Sequence, residues 1–424
     1  MAKQSSSIRP DRVGEKRCPV GGFRLQTTGV SRQESQGTLS MLETTEFSPR
    51  HESPLRVGVI STFPPTRCGI GRFGASLVAA LRRVDPTLDV EVLRLLPGTR
   101  APVSTGPVVM EIDPDDSVGI RAAARRLDEC DVTVIQHEFG IYGANDGEAV
   151  LDLVAAVESP KLVALHTVLP DPTERQRSIV ETLAGTSRMV VLCRSAADLL
   201  RTRYTVPRDA IEIIPHGSNW SAQPVNPPPR RQLITWGLLG PGKGLERSLE
   251  AVALLRDIDP PIRYRLVGRT HPVVAERHGY AYRRMLERRV TELELSNVVE
   301  FVERYVDDDE LFQLVKGSDV VVVPYDNRDQ VSSGVITEAV GMGRPVVATN
   351  FPYSEEVLAK GAGIVVDHDP HAIADAIRAL VDDPIAYRRA AREAARLSEE
   401  LSWESVAHEY SRLIQGLAPA AATG

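Results

Sequence analysis

The stretch DVVVVPYDNRDQVSSGVITEAVGMGRPVVAT, residues 319–349, contains the pattern that decides the fold. Its run of valines is typical of a strand buried on both faces, which ends at Pro324. After a polar loop, the apolar positions from Ser333 to Met342 predict a helix, and the run 345–349 predicts a second strand. A buried strand, a helix and another buried strand in this order indicate a parallel sheet covered by helices.

The same alternation continues on both sides of this stretch, from Leu55 onward. Short β-branched runs separated by longer amphipathic stretches indicate a doubly wound α/β fold. Strands are predicted at 56–61, 132–138, 161–166, 188–193, 211–217, 231–237, 263–268, 298–302, 319–324 and 345–349. Helices are predicted at 71–83, 148–158, 244–257, 282–295 and 333–342, and a last helical block is predicted from about Ala386 to Leu417.

A proline-rich segment divides this pattern into two halves. In VNPPPRR (225–231), consecutive prolines favour a stiff, extended linker, because proline cannot sit inside a helix or a central strand. We therefore predict two doubly wound Rossmann-like domains, at 55–224 and 232–400, that face each other across a cleft. A C-terminal helix and tail, 401–424, is predicted to return to the first domain. Residues 1–54 mix acids and bases, are rich in Ser, Gln, Thr and Gly and lack the apolar region of a targeting peptide, and a disordered tail is predicted there.

The composition limits the classes of partner. The chain has 424 residues, of which 42% are hydrophobic and 25% are charged, as is typical of a globular protein. Its net charge of −7 argues against nucleic acid as a main partner, because binding a phosphate backbone requires a basic surface. The four cysteines form no Cys-x-x-Cys pair, and no apolar run reaches the roughly 20 residues that span a bilayer. A cytoplasmic protein is predicted, with peripheral membrane contact and oligomeric state left open.

The first candidate for binding a phosphate group is the loop TFPPTRCGIGRF (62–73), which follows the first predicted strand. Gly69 and Gly71 would let the backbone come close to a ligand at the N-terminus of a helix. The helix dipole and the free amide groups there favour an anion. An ordinary tight turn between a strand and a helix would explain the same glycines.

A second glycine-rich loop, TWGLLGPGKGLE (235–246), has Lys243 between a predicted strand and a predicted helix. A lysine in this position fits a diphosphate as a point charge. Gly244, where a Walker motif requires Ser or Thr, excludes that motif. The alternative is a solvated surface lysine, which the surrounding glycines make the weaker interpretation.

The helix predicted at 333–342 offers a third place for an anion. Ser332, Ser333 and Gly334 are small residues that would expose backbone amides at its N-terminus. Glu338 lies about one turn further on, among apolar neighbours that predict a buried carboxylate in need of a partner. Ribose hydroxyls are a common partner of acidic side chains near phosphate sites.

The order and spacing of these motifs resemble those of the retaining glycosyltransferases of family 4, also called group 1, which have the two-domain GT-B fold. The resemblance extends from about Leu55 to the C-terminus. Besides the segments quoted above, it rests on QHEFGIYG (136–143), ALHTVLP (164–170), IPHG (214–217) and Trp403 in the last helix. Within the family, the motifs QHEFG, LHTVLP and GxTHP (268–272) resemble those of an atypical subgroup.

The resemblance implies a hexosyltransferase. It would move a hexose from a nucleoside-diphosphate sugar, UDP- or GDP-linked, to an acceptor hydroxyl with retention of configuration. The acceptor would be a carbohydrate, a lipid or a small molecule, and neither a metal nor a cofactor would be needed. The run Asp307–Asp309 is interpreted as the start of a helix and not as a metal-binding Asp-x-Asp motif.

The resemblance also implies roles for residues of the second domain. Glu338 matches the second glutamate of the family's Glu-x7-Glu element, which binds the ribose. The first position of that element faces the donor sugar and is Gln330 here, so an amide replaces a carboxylate. Many relatives have an arginine where this chain has Leu238, and Arg269 is a candidate replacement. The predicted diphosphate-binding residues are Gly69, Gly71, Lys243, Arg269, Ser332, Ser333 and Gly334.

In the first domain, His166 matches the family histidine near the reactive carbon of the donor. We predict that it is catalytic together with Lys243, which would stabilise the leaving diphosphate. His137 and Glu138 end an adjacent strand, face the same cleft and are candidates for binding the acceptor; for His137, a packed core position is an equal alternative. His216 is expected to be structural.

The substitutions at Gln330 and Leu238 leave two other functions open. One is a protein that binds a nucleotide sugar without catalysis, and the other is a sugar-nucleotide epimerase on the same fold. Turnover of UDP- and GDP-sugars distinguishes these functions from glycosyl transfer.

Overall fold

The computed structural model of the chain describes residues 54–66, 68–96, 106–219 and 231–419. The predicted tail lies outside these residues except for Pro54, and the predicted linker lies outside them except for Arg231. The limits of the predicted domains therefore stay predictions.

The first sheet consists of seven parallel strands in the order β3-β2-β1-β4-β5-β6-β7. The strands are β1 (Leu55–Ser61), β2 (Leu88–Leu95), β3 (Val108–Ile112), β4 (Val132–His137), β5 (Lys161–Leu165), β6 (Arg188–Val191) and β7 (Ile211–Ile213). The helices packed on them are α1 (Gly69–Val84), α2 (Ser117–Leu127), α3 (Ala149–Ala156), α4 (Glu174–Thr186) and α5 (Arg194–Arg203). We call this sheet with its helices the first lobe.

The second sheet consists of six parallel strands in the order β10-β9-β8-β11-β12-β13. The strands are β8 (Gln232–Trp236), β9 (Arg263–Val267), β10 (Val299–Val302), β11 (Val320–Val323), β12 (Val346–Thr349) and β13 (Gly363–Val366). Its helices are α6 (Leu245–Ala253), α7 (Pro272–His278), α8 (Ala281–Glu292), α9 (Asp308–Lys316), α10 (Gly334–Gly341), α11 (Pro352–Leu358), α12 (Pro370–Val381) and α13 (Pro384–Glu400). We call this sheet with its helices the second lobe.

The C-terminal helix α14 (Trp403–Leu417) packs against α1 of the first lobe, as the sequence predicts. Trp403, Tyr410 and Ile414 are buried in one cluster with Leu77 and Leu81 of α1. The helical block predicted from Ala386 is therefore two helices, and the second begins after Ser402, which caps its N-terminus.

Three strands were not predicted: β2, β3 and β13. β2 has the sequence LDVEVLRL, in which charged residues interrupt the apolar run and weaken the signal of a buried strand. β3 and β13 lie at the edges of their sheets and have few fully buried positions. Strand registers confirm the parallel arrangement; for example, Val57 of β1 pairs with Val90 of β2 and Val132 of β4.

Each sheet has one point where the strand order reverses, between its first and fourth strands in the chain: β1 and β4, and β8 and β11. The loops that follow such strands leave in opposite directions and open a crevice at the carboxyl edge, which is where ligands bind in open α/β sheets. The loops after β1, β8 and β11 contain the two glycine-rich segments and the entry to α10. The topology therefore brings the candidate residues of each sheet to one edge.

Candidate functional site

The loop between β1 and α1 is shaped around Cys68, which is the N-cap of α1. Its Sγ accepts a hydrogen bond from the Gly71 amide at 3.2 Å. A Cβ on Gly71 would lie 3.3 Å from the Thr66 carbonyl oxygen, whereas a Cβ on Gly69 would meet no atom within 4 Å. Gly71 is therefore closely packed, and the exposed Gly69 is the more accessible of the two glycines that were predicted to meet a phosphate.

The N-terminus of α10 joins the two lobes. Ser333 caps the helix, and its Oγ accepts from the Ile336 amide at 3.3 Å. Ser332 Oγ donates to the carbonyl oxygen of His166 in the first lobe at 3.1 Å. The first amides of a helix have no partner within it, so the backbone at Gly334 can offer donors to an anion.

Glu338 is buried one turn along α10, with 7% of its surface exposed. Burial raises the pKa of its carboxyl group to about 7, and the positive charge of Arg72 acts in the opposite direction. Arg72 Nη2 lies 3.0 Å from Glu338 Oε1 and 3.0 Å from Asp308 Oδ1. Arg72 belongs to α1, so this ion pair connects the first lobe to the second.

Sequence reasoning missed Arg72 as a residue of the site, although it quoted the GIGRF segment. A signal was present, because Arg72 lies in the first turn of α1. The helix dipole disfavours a cation at that end of a helix, so a cation there calls for an anionic partner. The partner itself was not visible, since Glu338 and Asp308 are distant in the sequence and on the other lobe.

Lys243 lies over an aromatic ring of its own lobe. Its Nζ is 4.0 Å from the centroid of the Tyr325 ring, a cation–π contact. The loop is held to the segment after β11 by a hydrogen bond from the Asp326 amide to the Gly242 carbonyl oxygen at 3.0 Å. Gly244 has a positive φ of 59°, and a Cβ there would lie 1.8 Å from the Pro324 carbonyl oxygen. The glycines therefore let the Lys243 loop lie directly against the loop that leads to α10.

Arg269 is exposed, and its carbonyl oxygen accepts from the Leu239 amide at 2.8 Å. This bond places Arg269 beside the Lys243 loop through its backbone. The arginine that forms an ion pair with Glu338 is a different residue, Arg72.

His166 is held by Gln136, which sequence reasoning quoted but did not assign. The ring Nε2 of His166 forms a hydrogen bond of 2.7 Å with the Gln136 side-chain amide. Burial lowers the pKa of His166 to about 3, and its ring packs edge-on against Phe73 with 4.6 Å between the centroids. His166 is therefore a neutral hydrogen-bonding group at neutral pH.

His137 and Glu138 differ in their surroundings. His137 has no exposed surface and packs against Phe139 and Tyr142, so its predicted position in the cleft is wrong and the core alternative holds. Burial lowers its pKa to about 4. Glu138 is half-buried, accepts from the Phe139 amide at 3.2 Å and from Thr167 Oγ1, and has a pKa raised by burial.

Gln330 uses its side chain within the loop before α10. Its Nε2 donates to the Ser332 carbonyl oxygen at 2.6 Å, and its own carbonyl oxygen accepts from the Tyr353 amide at 3.3 Å. A glutamate has no N–H group to donate, so it could not form the first of these bonds. This local hydrogen bond therefore explains why a glutamine, and not a glutamate, fits at position 330.

Aromatic rings form one wall between the lobes. Phe73 contacts His166, His216 and Trp403, with centroid distances of 4.6, 5.1 and 4.9 Å. His216 also lies against α10, because a Cβ on Gly334 would be 3.3 Å from its Nε2. Burial lowers the pKa of His216 to about 4, and Arg72 adds to this effect. These contacts fit the structural role predicted for His216.

A cavity of about 560 Å³ opens beside Arg72. Its walls come from both lobes, with Pro65, Thr66 and Cys68 on one side and Tyr305 and Asp308 on the other.

Within the described ranges, no group of three or more His, Cys, Asp or Glu side chains is arranged to hold a metal ion. Asp307 caps α9 through a bond from the Glu310 amide, at 2.9 Å, as the sequence predicts. Among the helices the structure describes, none is long and apolar enough to cross a membrane.

Comparison with known proteins relates the second lobe to one family. Residues 218–398 match the family model described as "Glycosyl transferases group 1". The chain is 29% identical over 278 residues to the D-inositol 3-phosphate glycosyltransferase of Streptomyces avermitilis, covering 59% of this chain and 58% of that protein. It is 32% identical over 180 residues to the protein of the same name from Corynebacterium glutamicum, covering 42% and 41%. The chain thus spans about half the length of these curated relatives.

Solved structures show the fold. Anabaena Alr3699/HepE in complex with UDP and glucose superposes with a TM-score of 0.67 at 14% identity, over 85% of this chain and 100% of that one. Sucrose-phosphate synthase from Thermosynechococcus elongatus superposes with a TM-score of 0.64 at 19% identity, over 86% and 99%. The fold is therefore GT-B, with two Rossmann-like domains, as the resemblance implied.

Proposed function

We propose that the chain transfers a hexose from a UDP- or GDP-linked sugar to an acceptor hydroxyl with retention of configuration and without a metal ion. It would be a retaining hexosyltransferase of the atypical subgroup with the QHEFG, LHTVLP and GxTHP motifs. One observation carries the proposal above the others: the buried carboxylate of Glu338 lies one turn from the N-terminus of α10, at the boundary between the lobes. The family match over residues 218–398 and the UDP and glucose bound by HepE support the same reading.

In this proposal the second lobe holds the nucleotide. Glu338 accepts hydrogen bonds from the ribose hydroxyls, which satisfy a carboxylate that is otherwise buried. The amides at Ser333 and Gly334 and the ammonium group of Lys243 bind the diphosphate, and Gly69 lets the backbone of α1 approach it from the first lobe. Arg269, beside the Lys243 loop, would contribute charge at the entrance.

The chemical demand on these groups is to stabilise negative charge as the diphosphate leaves. Fixed amides and a cation in a water-poor cleft meet this demand without rearrangement, and one well-placed donor is worth about 2.7–4 kcal/mol in such sites. His166 stays neutral, because burial lowers its pKa to about 3. Its role would be to position the sugar by hydrogen bonding, with Gln136 fixing the ring, while Gln330 faces the sugar from the other side.

The acceptor would bind in the first lobe as a carbohydrate, a lipid or a small molecule with a free hydroxyl. Glu138 supports this assignment, since it is a carboxylate at the end of β4 that is bonded to Thr167, next to His166. Burial raises the pKa of its carboxyl group, and the bonds from Thr167 and from the Phe139 amide act in the opposite direction.

A panel of UDP- and GDP-sugars, each with a mixture of candidate acceptors, tests the proposal. We expect release of the nucleoside diphosphate with one donor, and an NMR spectrum of the product in which the anomeric configuration of the donor is retained. Binding of a donor without turnover under any acceptor would favour the non-catalytic binding protein. Isomerisation or hydrolysis of the donor in the absence of acceptor would favour the epimerase.

A further inference from the structure

The ion pair between the lobes leaves one cation facing two carboxylates. Arg72 meets both Glu338 and Asp308 at 3.0 Å, and the Arg72 side chain is 30% exposed. Glu338 is buried, so removing its only cation within the described ion pairs would leave a desolvated negative charge. In the triad Arg72–Glu338–Asp308, one cation therefore serves two carboxylates, and this balance holds only while no further anion lies beside them.

Binding of the proposed donor would upset this balance. Ribose hydroxyls at Glu338 would compete with Arg72, which contacts Oε1, for the same buried carboxylate. The diphosphate would add further negative charge close to Asp308 and Glu338. Unless a cation moves toward the phosphates, like charges would repel each other in a poorly solvated cleft.

Arg72 can supply that cation with a short movement. Glu338 is four residues from Gly334, a rise of about 6 Å along the helix. The charge of Arg72 already acts on His216, whose ring lies against Gly334, so the guanidinium is electrostatically close to the N-terminus of α10. A cavity of about 560 Å³ adjoins Arg72 on the side of Tyr305 and Asp308, so its side chain is not enclosed by packing on that side.

Resting on the proposed function, we propose that Arg72 is a residue that changes partner when the donor binds. In the free chain it neutralises Glu338, and in the complex it leaves Glu338 to the ribose and binds the diphosphate at the N-terminus of α10. It thereby adds a guanidinium from the first lobe to the ammonium of Lys243 from the second. Arginine suits this task, because its planar group can bind carboxylate and phosphate oxygens alike through paired N–H donors.

The alternative is that Arg72 is only a latch between the lobes. A latch would compete with the donor for Glu338, so its removal would leave donor binding unchanged or strengthen it. A partner-changing arginine predicts the reverse for ligands with phosphates, and little effect for the nucleoside alone. The latch and the partner change therefore predict opposite effects of removing Arg72 on the affinity for ligands with phosphates.

The test measures the affinity of the wild-type chain and of Arg72→Ala for UDP, GDP, uridine and guanosine by calorimetry and ligand-observed NMR. We expect Arg72→Ala to weaken binding of the preferred nucleoside diphosphate by about 10- to 100-fold, the range for a hydrogen bond to a charged group. Binding of the matching nucleoside should change by less than about 3-fold, because it has no phosphate. Arg72→Lys should recover part of the lost affinity, since lysine keeps the positive charge but lacks the paired N–H donors of the guanidinium.

Asp308→Asn is the matched control, because it removes the other carboxylate of the triad and keeps Arg72. It should bind the nucleoside diphosphate as tightly as the wild type or more tightly. Equal or tighter binding of the diphosphate by Arg72→Ala, or an equal loss for nucleoside and diphosphate, would overturn the assignment of Arg72 and leave the proposed function standing. Failure of the wild type to bind either diphosphate would overturn both. Unfolding midpoints of the free variants show whether each one is folded.

Discussion

Burial sets the charge state of the individual side chains in the candidate site. His166 and His216 have pKa values lowered to about 3 and about 4, so both are neutral at physiological pH. Glu338 has a pKa raised to about 7 and titrates in that range. The group expected to bind the ribose is therefore the one whose charge responds to pH.

Glu338 should make the stability of the free chain depend on pH. Its pKa is about 7 in the folded chain and 4.5 for an unperturbed glutamate side chain, so the folded chain binds its proton more tightly. The stability that this proton contributes is fully present below pH 4.5 and is lost as the pH rises through about 7. Relative to Glu338→Gln, the wild type should thus lose free energy of unfolding between these values. Urea unfolding of both proteins across this range measures the difference, and parallel curves would refute the raised pKa.

Two features favour glycine at position 244: its positive φ and the close approach of the Pro324 carbonyl group. A Cβ at Gly244 would lie 1.8 Å from the Pro324 carbonyl oxygen, whereas Gly242 also has a positive φ but has no atom within 4 Å of an added Cβ. Gly242→Ala should cost about 1 kcal/mol for backbone strain alone, and Gly244→Ala should cost about 2–4 kcal/mol because the loop must also move. Thermal unfolding of both variants measures this, and equal losses would show that the contact does not matter.

Single residues of the site could be predicted from the sequence where the residues that they act with are close in the chain. Glu338, Lys243 and the helix N-terminus at Ser333 and Gly334 were predicted from neighbours within a few positions, and the structure places them at the carboxyl edge of the second sheet. Arg72 and Gln136 could not be assigned, because each acts through a residue far away in the sequence. His137 could not be placed either, because every residue of β4 is buried and the sequence does not show whether its last residue reaches the cleft.

Among the elements, α14 couples the C-terminus to the first lobe. Trp403 is 4% exposed and contacts Phe73, and a Cβ on Gly217 would lie 2.3 Å from its ring. Trp403→Ala should lower the free energy of unfolding by about 3–5 kcal/mol, and Trp403→Phe should cost less because it keeps part of the ring contact. Denaturant unfolding gives both values. An equal loss for the two variants would mean that the wall of rings does not depend on packing at this position.

Elements with strong apolar signals were predicted to within a few residues, whereas the edge strands β3 and β13 were not predicted. The valine run gives β11, and the helix predicted from Ser333 to Met342 is α10 with one residue fewer at each end. β2 was missed although it is central, because Arg94 is fully buried in it and is satisfied by Glu111 and Thr66 at 3.0 and 2.9 Å. Such pairing between strands compensates a charge that the pattern alone counts against a buried strand.

In the whole molecule, the two lobes meet through polar contacts around the entry to α10. The carboxylate of Glu356 accepts from the amides of Arg194 and Ser195 at 2.9 and 3.2 Å. Cys193 Sγ donates to the Val331 carbonyl oxygen at 3.1 Å, and Ser332 Oγ donates to that of His166. The loop expected to hold the sugar is thus fixed by both lobes, so that a donor bound there would contact the two halves of the protein together.

The central claim is that a nucleoside diphosphate binds at the Lys243 loop and α10, and the affinity of Lys243→Ala tests it most directly. Lys316→Ala is the matched control, because Lys316 also lies over an aromatic ring, with its Nζ 5.6 Å from the Phe312 centroid, but on α9. Calorimetric titration with UDP and GDP should show binding to the wild type and to Lys316→Ala, and a loss of about 10-fold or more for Lys243→Ala. Unchanged affinity of Lys243→Ala for the diphosphate would contradict the account.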